Sequence, residues 1–159
     1  MAMHNIVVTI AGSATSVVTA KYAIFLAKVL QARLTAIYVI NERILEELLR
    51  SRVVVGPEAL EYEREMEEQS KCFLERIKQM AESKGVEFYG MLLRGVVHEE
   101  VVNKTKEIRA DLLVMGELKE ASSRKEVCYD EGERIFREAQ CPTVIVKNPE
   151  EVERQYREI

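Results

Sequence analysis

The chain has 159 residues, 47% of them hydrophobic and 31% charged, with a formal net charge of −4. That length favours one domain with a real core, and the acidic balance argues against nonspecific binding to nucleic acid or to anionic membranes, which needs a basic field. No apolar run approaches the roughly 20 residues of a membrane span, and no basic region followed by an apolar block marks a signal peptide.

Cys72, Cys128 and Cys141 form no C-x-x-C pair, and their odd count suggests reduced thiols in a cytoplasmic protein. With two histidines, His4 and His98, and no H-E-x-x-H, a zinc site is not expected.

Residues 4–11 are β-branched and apolar and read as a first strand. Gly12-Ser13 is a turn, and Ser13 or Ser16 can cap the helix that follows, 16–31. That helix is apolar around most of its circumference, so it should be largely buried. A second strand, 33–40, completes a β-α-β unit with a right-handed crossover. Ile44, Leu45, Leu48 and Leu49 suggest a short amphipathic helix with Asn41 as its cap, broken by Val53-Val54-Val55-Gly56-Pro57. A long helix over 58–84 follows, with Pro57 at its start and Gly85 as its C-terminal cap. Its expected apolar stripe is Tyr62, Met66, Phe73, Ile77 and Met80, with polar Gln69 and Ser70 filling one turn.

The third strand is 86–93. A helix over 98–108 follows, with Val101, Val102 and Thr105 inward. Residues 111–116 form the fourth strand and stop at Gly116. After a polar loop, Asp130 is positioned to cap a helix through Ala139, because Asp130-x-x-Glu133 has capping-box spacing. The fifth strand is 142–147. Asn148-Pro149-Glu150-Glu151 then starts a terminal helix whose Val152, Tyr156 and Ile159 share one face, so this tail should dock.

Five strands alternating with helices predict a single open, doubly wound, parallel, Rossmann-like α/β sheet. The expected division is an α/β domain over 1–148, with the long helix as an insertion, and a helical tail over 149–159. Function should sit beyond the fourth strand. Ligands in such sheets bind at the carboxyl ends of strands near the point where strand order reverses, and a glycine there admits close backbone approach.

Four blocks carry a resemblance. They are residues 6–13; Arg94-Gly95-x-x-x-Glu99-x-Val101; Ala110-Asp111-Leu112-Leu113-Val114-Met115-Gly116; and Glu133-Arg134-Ile135-x-Arg137-x-Ala139-x-Cys141-Pro142-Thr143-Val144-x-Val146. With them the chain resembles the universal stress protein family along nearly its whole length. The resemblance implies a sheet of order 3-2-1-4-5 and a homodimer. Many members bind ATP or AMP through an aspartate after the first strand and a G-x-x-G-x9-G-[ST] loop after the fourth. Here Ala11 stands at the aspartate position, Gly116 keeps the first glycine, Lys119 replaces the second, and Tyr129-Asp130 replaces the final pair.

The chemistry of these replacements disfavours phosphate, which needs convergent N–H groups and a free helix N-terminus. Tyr129 resists the positive φ that glycine permits. Asp130 brings a carboxylate to the phosphate position, and like charges about 4 Å apart repel by about 4 kcal/mol at an effective dielectric of about 20. Asp130 is therefore expected to cap its own helix and stand in for the missing phosphate. Glu117, Glu120, Glu126 and Glu131 add negative charge to the segment, against Lys119, Arg124 and Lys125.

The expected function is a non-enzymatic stress-response or regulatory module without a cofactor and without tight ATP binding. The alternative is a switch binding ATP or AMP in an altered pocket lined by Ile10, Ala11, Val39, Met115, Gly116 and Lys119, with Asp130 at its rim. An ATP-hydrolysing enzyme is the weakest reading, since no metal-ligand pair or base is placed for it, and Ser13 has no activating partner. Lys119 and Arg124 read as solvated loop charges. His98, second in a surface helix, reads as half-exposed and inert, Cys128 as an unactivated thiol, and Cys141 as a packing residue. The acidic run 58–68 reads as a solvated face, or else as the surface for an unidentified protein partner. The apolar fifth strand, 143–147, is a sheet edge that invites antiparallel pairing with a second copy.

Overall fold

The first strand, β1 (Asn5–Ile10), turns Ile6, Val8 and Ile10 to one face of a sheet and Val7 to the other, and all four are buried. A strand buried on both faces belongs inside a parallel sheet, and a computed structural model of the chain places it there. The structure describes residues 3–51, 56–118 and 127–159, with 44, 45 and 127–130 described by their backbone. The break expected at Val53–Val55 lies outside the described residues.

After β1 come α1 (Ala14–Leu30), β2 (Arg33–Asn41), α2 (Glu42–Arg50), α3 (Gly56–Ser83), β3 (Phe88–Gly95) and α4 (Val97–Ile108). The order then runs β4 (Leu112–Met115), α5 (Val127–Glu138), β5 (Thr143–Ile145) and α6 (Pro149–Glu158). The strands form one parallel sheet in the order β3-β2-β1-β4-β5. Strand order reverses between β1 and β4, with Ile6 opposite Leu112 and Val8 opposite Val114.

Alternation along the strands builds two cores. Ile6, Val8, Ile10, Leu34, Ala36, Leu112 and Val114 pack under Ala20, Ala23, Ile24 and Ala27 of α1 and Leu74, Ile77 and Ala81 of α3. On the other face Val7, Ile37, Val39, Leu113 and Met115 pack under Val101 of α4 and Ile135 of α5. The small residues of α1 let it lie close on the sheet. Val152 of α6 is buried in the same layer, with Tyr156 and Ile159 partly so. Lys21 bonds Glu153 at 2.7 Å, and its ammonium and that of Lys84 lie over the Tyr156 ring.

The start of β3 and the buried stripe of α3 differ from expectation for packing reasons. β3 starts at Phe88 because Val86 belongs to the stop of α3: its N–H closes on the Ala81 carbonyl at 2.9 Å, that of Gly85 closes on Glu82, and Gly85 has φ +74. This is a Schellman stop, in which a buried apolar residue just past the glycine is the rule. The buried stripe of α3 is Ala59, Ser70, Leu74, Ile77 and Ala81, while Tyr62, Met66, Phe73 and Met80 flank it half-buried. The aromatic residues and methionines flank the buried stripe and do not form it. Ser70 is accommodated by donating to the Met66 carbonyl at 2.6 Å.

The long α3 is tied to the end of β3. Arg94 pairs with Glu63 and, at 2.7 Å, with Glu67. At about 1.5 Å per residue, the turns before Glu63 continue past the end of the strand. Among the described residues no helix is long and apolar enough to cross a membrane.

Candidate functional site at the carboxyl edge of the sheet

The β1–α1 turn supplies half of the cleft at the switch point. Gly12 has φ +66, and a side chain on it would meet the Tyr38 hydroxyl at 2.7 Å, so only glycine fits. Ser13 caps α1, accepting from the Ser16 N–H at 3.3 Å, and bonds Thr15 through its hydroxyl at 2.8 Å. The Ser16 hydroxyl accepts the N–H of Ala11 at 2.8 Å. Ala11 itself is exposed and carries no polar group toward the cleft. The N–H groups of Ala11 and Ser16 are thus bonded to the chain's own oxygens.

Ile10, Val39 and Met115 are buried and close the floor between β1, β2 and β4. Gly116 has a packing reason to be glycine: a Cβ there would lie 3.1 Å from the Thr19 hydroxyl of α1. Thr19 in turn donates to the Thr15 carbonyl at 2.8 Å. The structure therefore brings Ile10, Ala11, Val39, Met115 and Gly116 to one edge. Lys119, with Glu120, Arg124, Lys125 and Glu126, lies outside the described residues.

Asp130 is not the cap of its helix. α5 begins at Val127, so Asp130 falls inside the first turn. An Asp-x-x-Glu pattern fits a cap, but acids also suit a first turn, and Val127-Cys128-Tyr129 holds no helix breaker to enforce the later start.

The acid that the structure does place in a capping role is Glu131. It was grouped above with the loop charges, yet it is only 4% exposed and lies on α5. Its Oε2 accepts the backbone N–H of His98 at 2.6 Å and pairs with His98 Nδ1 at 2.7 Å. His98 is likewise 4% exposed, which corrects the expectation of a half-exposed, inert residue. The reason is α5, which packs over the first turn of α4 and covers the imidazole. The N-cap residue of α4, Val96, makes no side-chain cap bond. A carboxylate from another helix fills that place, and Arg43 of α2 stands 3.8 Å from its second oxygen. The signal in the sequence was the start Gly95-Val96-Val97, which offers α4 no oxygen of its own.

Other titratable groups are structural. At the opposite edge, the Asp111 carboxylate accepts the N–H groups of His4 at 2.8 Å and Asn5 at 2.9 Å. The bond from Asn5, then that from His4, holds its acid below the usual carboxylate range. Burial pushes the Cys141 thiol up, as suits a packing residue. A cavity of about 310 Å³ opens at this far edge beside Gln31, Arg33 and Glu87, away from the switch point. Among the described residues no three His, Cys, Asp or Glu side chains gather as metal ligands would.

The universal stress protein family model matches residues 3–147, from before β1 to just past β5. The chain belongs to the universal stress protein family. The universal stress protein MJ0531 of Methanocaldococcus jannaschii is 32% identical over 91% of this chain and 82% of its own. Among solved structures, universal stress protein UspA from Lactobacillus plantarum superposes with a TM-score of 0.73 at 17% identity, covering 92% of this chain and 99% of that one. A universal stress protein solved in complex with cAMP superposes with a TM-score of 0.67 at 18% identity, covering 92% and 98%. These two show the fold alone.

Proposed function

We propose that this universal stress protein is a non-enzymatic regulatory binding module of the cytoplasm that works as a homodimer and holds ATP weakly or not at all. The observation that carries the reading is Ala11 in the β1–α1 turn. Ala11 lacks the carboxylate with which the family's motif anchors adenosine, and its N–H is already bonded to Ser16. Lys119 and Tyr129-Asp130 in place of the phosphate-loop residues point the same way. The half-exposed edge strand β5, paired on one side with β4, supports dimerisation by antiparallel pairing of two β5 strands across a two-fold axis.

A second reading is a nucleotide switch that uses the same edge with altered contacts. It is favoured by the structural relative solved with cAMP. Ile10, Val39, Met115 and Gly116 would then hold a base by apolar contact, with Lys119 beside the anionic group.

Native mass spectrometry of freshly purified protein separates the two. The expected result is a mass of two chains with nothing added. A copurified nucleotide would move the assignment to the switch, and a monomer at micromolar concentration would remove the β5 dimer.

A further inference from the structure

His98 has one polar contact at each nitrogen of its ring. Glu131 Oε2 already accepts the His98 backbone N–H, so it acts as a carboxylate acceptor toward Nδ1 as well, and Nδ1 carries the hydrogen. On the other side of the ring, Arg134 Nη1 stands 3.5 Å from Nε2. A guanidinium can only donate, so in this contact Nε2 presents its lone pair. A carboxylate waits near the same nitrogen: Glu138 Oε2 is 4.0 Å from Nε2, beyond hydrogen-bond reach.

Glu131, Arg134 and Glu138 share one face of α5 by their spacing. That face presents to one buried imidazole an anion on Nδ1, a cation on Nε2, and a second anion farther along. The other charge facing the group is Arg43 of α2, against Glu131. On α4 itself Glu99 is exposed and Glu100 lies against Gly95. The sheet beneath α4 and α5 contributes apolar residues, Val39, Leu93 and Met115.

We propose that His98 is a proton-operated latch between α4 and α5. A proton taken from solvent by Nε2 turns that nitrogen from acceptor to donor. Arg134 cannot accept from it, and the exposed Arg134 guanidinium then faces a second cation on the buried ring. Glu138 can accept. The Nε2 partner therefore passes from Arg134 to Glu138, and α5 shifts on α4 to bring Glu138 into bonding distance. Glu131 keeps Nδ1 and the α4 N-terminus in both states and serves as the pivot. α5 is the helix that follows β4 in the chain, and β4 ends at the cleft at the carboxyl edge. The latch stands whether or not that cleft takes a ligand.

The test is nitrogen-15 NMR of the full chain, following the His98 ring and the backbone amides between about pH 8 and about pH 5, the range in which histidines change charge. At the upper end the ring is expected as the Nδ1–H tautomer with a bare Nε2. On acidification Nε2 gains a proton, and the amides of residues 131–138 move with the same midpoint. In Glu138→Ala, a change at a half-exposed position that removes the acceptor and leaves the fold intact, the ring still titrates but the α5 shifts disappear. An Nε2–H tautomer at the upper end, a ring that does not titrate, or a titration that leaves α5 still or is unaltered in Glu138→Ala, would overturn the latch.

Discussion

Helices α1 and α4 both begin at the carboxyl edge of the sheet, and they are capped in opposite ways. Ser13 caps α1 from the residue just before it, whereas Glu131 caps α4 from another helix, 33 positions along the chain. The local cap is exposed and adjustable. The distant cap is buried, carries a charge, and holds a histidine as well as a helix end. The difference teaches that one requirement, oxygen for orphan N–H groups, can be met by a weak local device or by a strong device that also fixes how two helices sit together. At both helix starts an internal oxygen accepts an N–H of the first turn.

Glu131→Ala should separate the two devices most clearly. It leaves a buried imidazole N–H and a helix N-terminal N–H without their acceptor, and each buried donor left unpaired costs about 1–3 kcal/mol. Urea unfolding should show the midpoint falling without change in slope. Ser13→Ala should cost about 1 kcal/mol, the usual worth of a local cap. Equal costs for the two changes would erase the distinction drawn here.

The smallest expected effect lies at the amino edge, where Asp111 ties the start of β1 to the start of β4. Its folded-state acid is shifted down, so its contribution is present above the ordinary aspartate value of about 3.9. It fades as pH falls through the lower folded value. Asp111→Asn should lower stability at neutral pH by about 0.5 kcal/mol, since the group is exposed and screened. The gap between variant and natural chain should close in acid; thermal unfolding across that range measures it. A gap that widens in acid would mean the carboxylate does not hold these N–H groups as described.

Much of the fold was legible because its signals are local or periodic. The two faces of β1, the Ser13, Asn41 and Asn148 caps, and the docked face of α6 follow from residue spacing alone. The sheet order came from family resemblance. Where the reading slipped, tertiary packing had overridden size or spacing. Val86 looked like strand and is the apolar lid of a helix stop. Tyr62 and Phe73 looked like core and flank a stripe of smaller residues.

At the site, the apolar floor of Ile10, Val39 and Met115 was legible, as strand ends must be. The His98–Glu131 pair was not, because nothing near either residue in the chain announces that α5 will fold over the first turn of α4. The cap expected of Asp130 was misplaced, because α5 already begins at Val127.

The measurement that bears most directly on the account is calorimetric titration of ATP into the natural chain and into a variant with the family's motif restored, Ala11→Asp, Lys119→Gly, Tyr129→Gly and Asp130→Ser together. The account predicts no saturable binding tighter than about 50 μM, roughly −6 kcal/mol, by the natural chain, and a gain of binding by the variant. Saturable binding of ATP by the natural chain below that concentration would contradict it.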